Sequence, residues 1–110
     1  MKIAVTSQNR KTVTDHAGRC RRFWVFDVEQ QSIISRELLE LPREQSFHDS
    51  SPHHEHPLDD IDVLIAGGMG QGLERRLKRK GIQSLVSQES DPEKAVSLFL
   101  REALETEGPH

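Results

Sequence analysis

Residues 62–86 read DVLIAGGMGQGLERRLKRKGIQSLV, and the fold is decided here. Asp62 to Ala66 is apolar after its first residue, as a strand covered on both faces should be. The run Gly67-Gly68-Met69-Gly70-Gln71-Gly72 ends it. From Leu73 to Lys80, Leu73 and Leu77 fall four apart on one helical face. Arg75, Arg76, Lys78, Arg79 and Lys80 cover the rest, and Gly81 stands where a C-cap belongs. Ile82 to Val86 is a second short strand. Asp91-Pro92 then supplies an N-cap followed by proline at the first helical position. The helix that follows spans about Pro92 to Glu105, with Ala95, Val96 and Phe99 on one side. Strand, helix, strand, helix calls for parallel crossovers.

Upstream, Lys2 to Thr6 (KIAVT) and Phe23 to Val28 (FWVFDV) are runs of strand formers, and Ser32 to Leu41 (SIISRELLEL) reads as a third strand stopped by Pro42. Ser7 to Arg22 is a long polar loop. The expected fold class is α/β: an antiparallel three-strand meander followed by parallel βαβα. Arg43 to Pro57 has two prolines, four histidines and Phe47 as its one large apolar residue. It should be a mobile loop or a binding loop, unable to anchor a core, because it lacks the apolar area that offsets an ordering entropy of about 1–2 kcal/mol per residue. Leu58 to Ile61 adds a short helical turn.

With 110 residues, 34% of them hydrophobic, the chain suits one domain, expected over residues 1–106, with a histidine-rich loop at about 43–57 and a tail at 107–110. Fifteen Lys and Arg against eighteen Asp and Glu give a net charge of −3, too near balance for a general nucleic-acid coat. No apolar run approaches the roughly 20 residues that cross a bilayer, and MKIAVTSQ is too short for the core of a secretion signal, so a cytoplasmic protein without a membrane partner is expected. One cysteine forms no internal disulfide and no Cys-x-x-Cys zinc knot.

Chemistry concentrates in two places. In Asp15-His16-Ala17-Gly18-Arg19-Cys20-Arg21-Arg22, an imidazole and a thiol stand four positions apart beside three arginines, whose charge should favour the thiolate. The pair suits metal ligation. Cys20 as a small apolar filler and His16 as a loop hydrogen-bonder is the plainer alternative, and a Cys/His nucleophilic dyad lacks any nearby sign of an oxyanion hole. In His53-His54-Glu55-His56, with His48 upstream, neutral imidazoles could hold a single zinc or nickel ion, or form a solvated tract. The glycine run offers backbone N–H groups and a helix N-terminus to an anion, or simply permits close packing, and it matches no nucleotide fingerprint. The basic helix reads as a solvated face or as a docking surface for an acidic partner, the latter making the chain a metal-free regulatory domain.

These pieces together resemble the dinitrogenase iron-molybdenum cofactor biosynthesis family, the small NifX-like domain also found appended to NifB. The resemblance runs over roughly Met1 to Leu104. It is carried by MKIAVTS, the loop Asp15 to Cys20, FWVFDV, the histidine-bearing middle loop, and DVLIAGGMGQG followed by L-x(3)-L-x(3)-GI. Ala17 departs from the family's phenylalanine, and the helix before the fourth strand is shortened to HPLDDI. The resemblance implies a ribonuclease H-like fold without nuclease carboxylates. It also implies an accessory, non-catalytic role in carrying an iron-sulfur cluster or iron-molybdenum cofactor precursor, with the family's loop histidine falling on His16 and its variable thiol position on Cys20.

Charge fits such a cargo. An anionic metal-sulfur cluster would meet Arg10, Lys11, Arg19, Arg21 and Arg22 against Asp15 alone in the first loop. One or two protein ligands also release a cluster more readily than the four thiolates of a resident ferredoxin centre. The expected site therefore lies between the first loop and the glycine turn. It consists of His16, Cys20, Arg19, Arg21, Gly68, Met69 and Gly70, with His53, His54 and His56 closing over it and cluster donor and acceptor proteins as partners.

Overall fold

The computed structural model of the chain describes residues 1–107, with side chains through residue 103. Five strands, β1 (Lys2–Thr6), β2 (Arg22–Glu29), β3 (Ser32–Glu40), β4 (Val63–Ala66) and β5 (Gln83–Val86), form one sheet in the order β3-β2-β1-β4-β5. β1 pairs antiparallel with β2 and β2 with β3, whereas β1–β4 and β4–β5 are parallel. Helix α1 (Gln71–Arg79) joins β4 to β5, and α2 (Pro92–Glu107) follows β5. Residues 108–110 of the expected tail lie outside the described residues. Among the described residues no helix is long and apolar enough to cross a membrane.

Alternation along the strands builds two cores. Ala4, Phe23, Leu64 and partly buried Val25 face one side and pack with Leu77 of α1 and Ile82. Ile3, Val5, Phe26, Val28, Val63 and Ile65 face the other, where Ala95, Val96 and Phe99 of α2 cover them. β4 is buried at all four positions because both layers press on it.

The first core corrects one expectation. Phe47, from the stretch 43–57 expected not to anchor a core, is buried among its members, beside the flanking Leu41, Leu58 and Ile61. Phe47 meets Phe23 edge-on, with ring centroids 6.0 Å apart at 82°. The short turn expected at Leu58 to Ile61 is present over 57–60, with Asp59 N donating to His56 O (2.9 Å).

Candidate functional site

β1 and β4 run parallel side by side, so the loops leaving their carboxyl ends meet at one edge of the sheet. The first loop folds back onto β1, where Thr14 N donates to Thr6 O (2.9 Å) and Thr6 Oγ1 to Thr14 O (3.0 Å). It then lies on the glycine turn. Gly67 N donates to Thr14 O (2.9 Å) and Ala17 N to Gly68 O (3.2 Å). A Cβ at Gly67 or Gly68 would run into Asp15, its carboxylate in the first case and its carbonyl oxygen in the second. Close approach of two backbones therefore demands these glycines, while among the described residues Gly81 after α1 is the glycine with positive φ (+75°).

The two loops and the middle segment enclose an open cavity of about 680 Å³, lined by Asp15 to Arg19, by Gly68 to Gly70 and by His48. His16 and Arg19 are exposed on one wall. Gly70 is the N-cap residue of α1, so the electropositive end of that helix borders the cavity. His48 comes from the middle segment, whose backbone is tied to the first loop by His48 N donating to Gly18 O (2.6 Å).

That segment is held by an arginine of the basic helix. Arg76, 6% exposed, donates from Nη1 to the carbonyls of Phe47 (2.8 Å) and Ser50 (3.1 Å) and from Nη2 to Ser50 Oγ (3.0 Å) and Ser51 O (3.3 Å). Lys80 Nζ donates to His54 O (3.1 Å) and pairs with Asp59. The basic helix is thus a solvated face only in part. Arg75, Lys78 and Arg79 are exposed, whereas Arg76 and Lys80 fasten the chain packed beside them.

Cys20 departs from its expected state. It is 2% exposed, packs in the first core, and donates its thiol hydrogen to Arg22 O (3.0 Å). Burial pushes the thiol pKa up, outweighing the hydrogen bonds at sulfur, while the Arg22 charge is the smallest influence. Of the three arginines expected to activate it, Arg22 is engaged elsewhere. Arg10 and Arg22 both pair with Glu40 (3.0 and 3.5 Å), and Arg22 also donates to Gln8 O (2.8 Å). Neither Cys20 nor Arg21 lines the cavity. Of the expected site, the structure brings together His16, Arg19, Gly68, Met69 and Gly70.

The histidine tract is not brought together. His53 and His54 are exposed, but His56 is 7% exposed and stacked on Phe47 with centroids 4.7 Å apart. Leu58 N donates to His56 Nδ1 (3.1 Å), so Nε2 carries the hydrogen and donates to Gln45 O (2.6 Å). Both nitrogens are spent, and burial lowers the pKa of this imidazole. Among the described residues no three His, Cys, Asp or Glu side chains gather to hold a metal ion.

Sequence reasoning set His48 upstream of the tract and passed it over as a site residue. The adjacent Asp49 was the available signal. His48 Nδ1 lies 3.0 Å from Asp49 Oδ1, and that hydrogen bond is the main cause holding the Asp49 carboxyl below the ordinary carboxylate range.

Comparison with known proteins gives one sequence relative and several solved structures of similar fold. A Methanocaldococcus jannaschii protein, MJ0580, is 24% identical over 107 residues, covering 96% of this chain and 90% of its own. The crystal structure of PH0822 superposes with a TM-score of 0.74 at 19% identity, over 93% of this chain and 92% of that one. A crystal structure described as a candidate dinitrogenase from Methanocaldococcus jannaschii gives 0.70 at 14% identity, over 93% and 89%. At these identities the solved structures speak for the fold alone. The sequence itself matches the dinitrogenase iron-molybdenum cofactor family model over residues 1–102, and the chain belongs to that family.

Proposed function

We propose that this chain is a cytoplasmic accessory protein of metallocluster biosynthesis. It transiently holds an anionic iron-sulfur cluster or iron-molybdenum cofactor precursor in the cavity between the first loop and the glycine turn, and passes it from a donor to an acceptor protein. The observation that carries the reading is the lining of that cavity, which holds the exposed His16 and Arg19 together with Gly70 at the N-terminal end of α1. A nitrogen donor, a cation and a positive helix end suit a preassembled anionic cluster. A bare divalent ion would instead need a cage of several donors. The strand order and pairing support the ribonuclease H-like description of the sheet.

Cys20 takes no part as a ligand or as a nucleophile in this reading, since its sulfur is buried and held protonated. A single-ion module built on His53, His54 and His56 is disfavoured because His56 has no free nitrogen. Reconstitution under argon with ferrous iron and sulfide, followed by visible absorption and EPR, tests the proposal. Wild type and Cys20→Ser should take up cluster, and His16→Ala should lose most of it. Equal uptake by His16→Ala would remove the assignment.

A further inference from the structure

Resting on the carrier reading, we infer that His48 is a second nitrogen ligand to the cargo, entering the cavity from the middle segment beside the first loop, and that Asp49 is the residue that aims it. His48 is set apart from His56 by which nitrogen it leaves free. An ionised Asp49 can only accept a hydrogen bond, so the hydrogen shared across the 3.0 Å contact belongs to His48 Nδ1. Nε2 of the neutral ring then presents its lone pair. In His56 the assignment is reversed and both nitrogens are occupied.

Asp49 is itself exposed, its side chain 43% accessible, but it is tied to a buried hydroxyl. Asp49 is fixed through Ser46, 2% exposed, whose Oγ donates to Asp49 Oδ2 (3.4 Å) and accepts from Asp49 N (3.2 Å). On either side of His48, Arg76 holds the Phe47 and Ser50 carbonyls, and the His48 N–H is bonded to Gly18 O. Only the ring is left uncovered, its side chain 53% exposed at the cavity wall. A carboxylate that orients an imidazole whose other nitrogen faces an open site is the recurrent arrangement behind metal-bound histidines, and removing such a carboxylate lowers metal affinity about 10–100-fold. Two imidazoles from two loops give the cargo a two-point grip. They also commit the site to a cluster with exchangeable iron positions over a phosphate, which needs no lone-pair donor.

The test has two arms. In the free full chain labelled with 15N-histidine, NMR should show His48 protonated at Nδ1, with Asp49→Ala shifting it towards the Nε2-protonated form. A wild-type His48 protonated at Nε2 overturns the inference without any cargo present. In the chain loaded with iron and sulfide, pulsed EPR should detect two histidine nitrogens in wild type and one in His48→Ala, with cluster affinity about 10-fold or more lower in Asp49→Ala. His48→Gln guards against a folding defect and should also show a single nitrogen. If wild type loads and His48→Ala keeps both nitrogens, the His48 assignment alone fails. If wild type takes up no cluster, the carrier reading fails and takes this inference with it.

Discussion

The guanidinium of Arg76 lies 5.2 Å from the ring centroid of Phe47 while donating a 2.8 Å hydrogen bond to the carbonyl of that same residue. One side chain thus fixes both the apolar anchor of the middle segment and its backbone, and so sets where His48 stands beside the first loop.

Arg76→Ala should destabilise the chain by about 2–4 kcal/mol, because buried carbonyls of Phe47 and Ser50 would be left without donors. Arg76→Lys should recover only part of this, since an ammonium cannot reproduce the planar fork that spans four acceptors. Urea unfolding measures both. A loss under about 0.5 kcal/mol in Arg76→Ala would show that the segment is held by other means.

Stability should fall as the solution is acidified below neutrality. The folded-state pKa of His56 is lowered from 6.5, so the unfolded chain binds a proton more readily than the folded one in the interval between the two values. The contribution of this group is fully present above pH 6.5, declines as the pH drops through that interval, and stops changing below the folded-state pKa. Urea midpoints at pH 7.5 and 5.5 should differ more in wild type than in His56→Gln. An identical difference in both would assign the slope to other groups.

Gly68→Ala should cost about 1–3 kcal/mol and displace the first loop, because the new methyl group meets the Asp15 carbonyl oxygen, a backbone atom that cannot turn aside. Gly72→Ala, in the first turn of α1 with nothing within 4 Å, should instead stabilise by roughly 0.5–1 kcal/mol. Thermal unfolding of the two variants gives the comparison, and the same sign for both would contradict the steric account.

Cys20 should resist iodoacetamide in the folded chain and react freely once urea unfolds it, as expected of a thiol buried in the first core with a raised pKa. Mass spectrometry of timed samples reads the modification. Rapid labelling without unfolding would restore Cys20 as a candidate ligand.

Much of this fold is legible in the chain because its determinants are local. The alternation of Phe23, Val25 and Trp24, Phe26, Val28 assigns β2 to two cores, and the four-residue step from Leu73 to Leu77 gives α1 its buried face. The middle segment is not legible in the same way. Its own apolar content is small, and the donors that order it come from Arg76, some 25 to 29 positions along the chain. The glycine pair fits the same pattern. Its local reading offers turns and anions, while the cause is the approach of Asp15, which the sheet brings over from another loop. Around Cys20 the composition shows cations, whereas the fold packs the thiol among Phe23, Phe47 and Leu64 of the first core. His16 and Arg19 keep their expected places because the short 3-10 turn Ala17–Arg19 leaves both outside the core.

Paramagnetic line broadening in two-dimensional 1H–15N spectra tests the central claim most directly, since it locates a loaded iron cluster without relying on any variant. Amide signals of residues 15–19, 48 and 68–70 should broaden while those of Ser97 and Leu100 on α2 persist. Broadening centred on His53 and His54, or spread evenly over the chain, would contradict it.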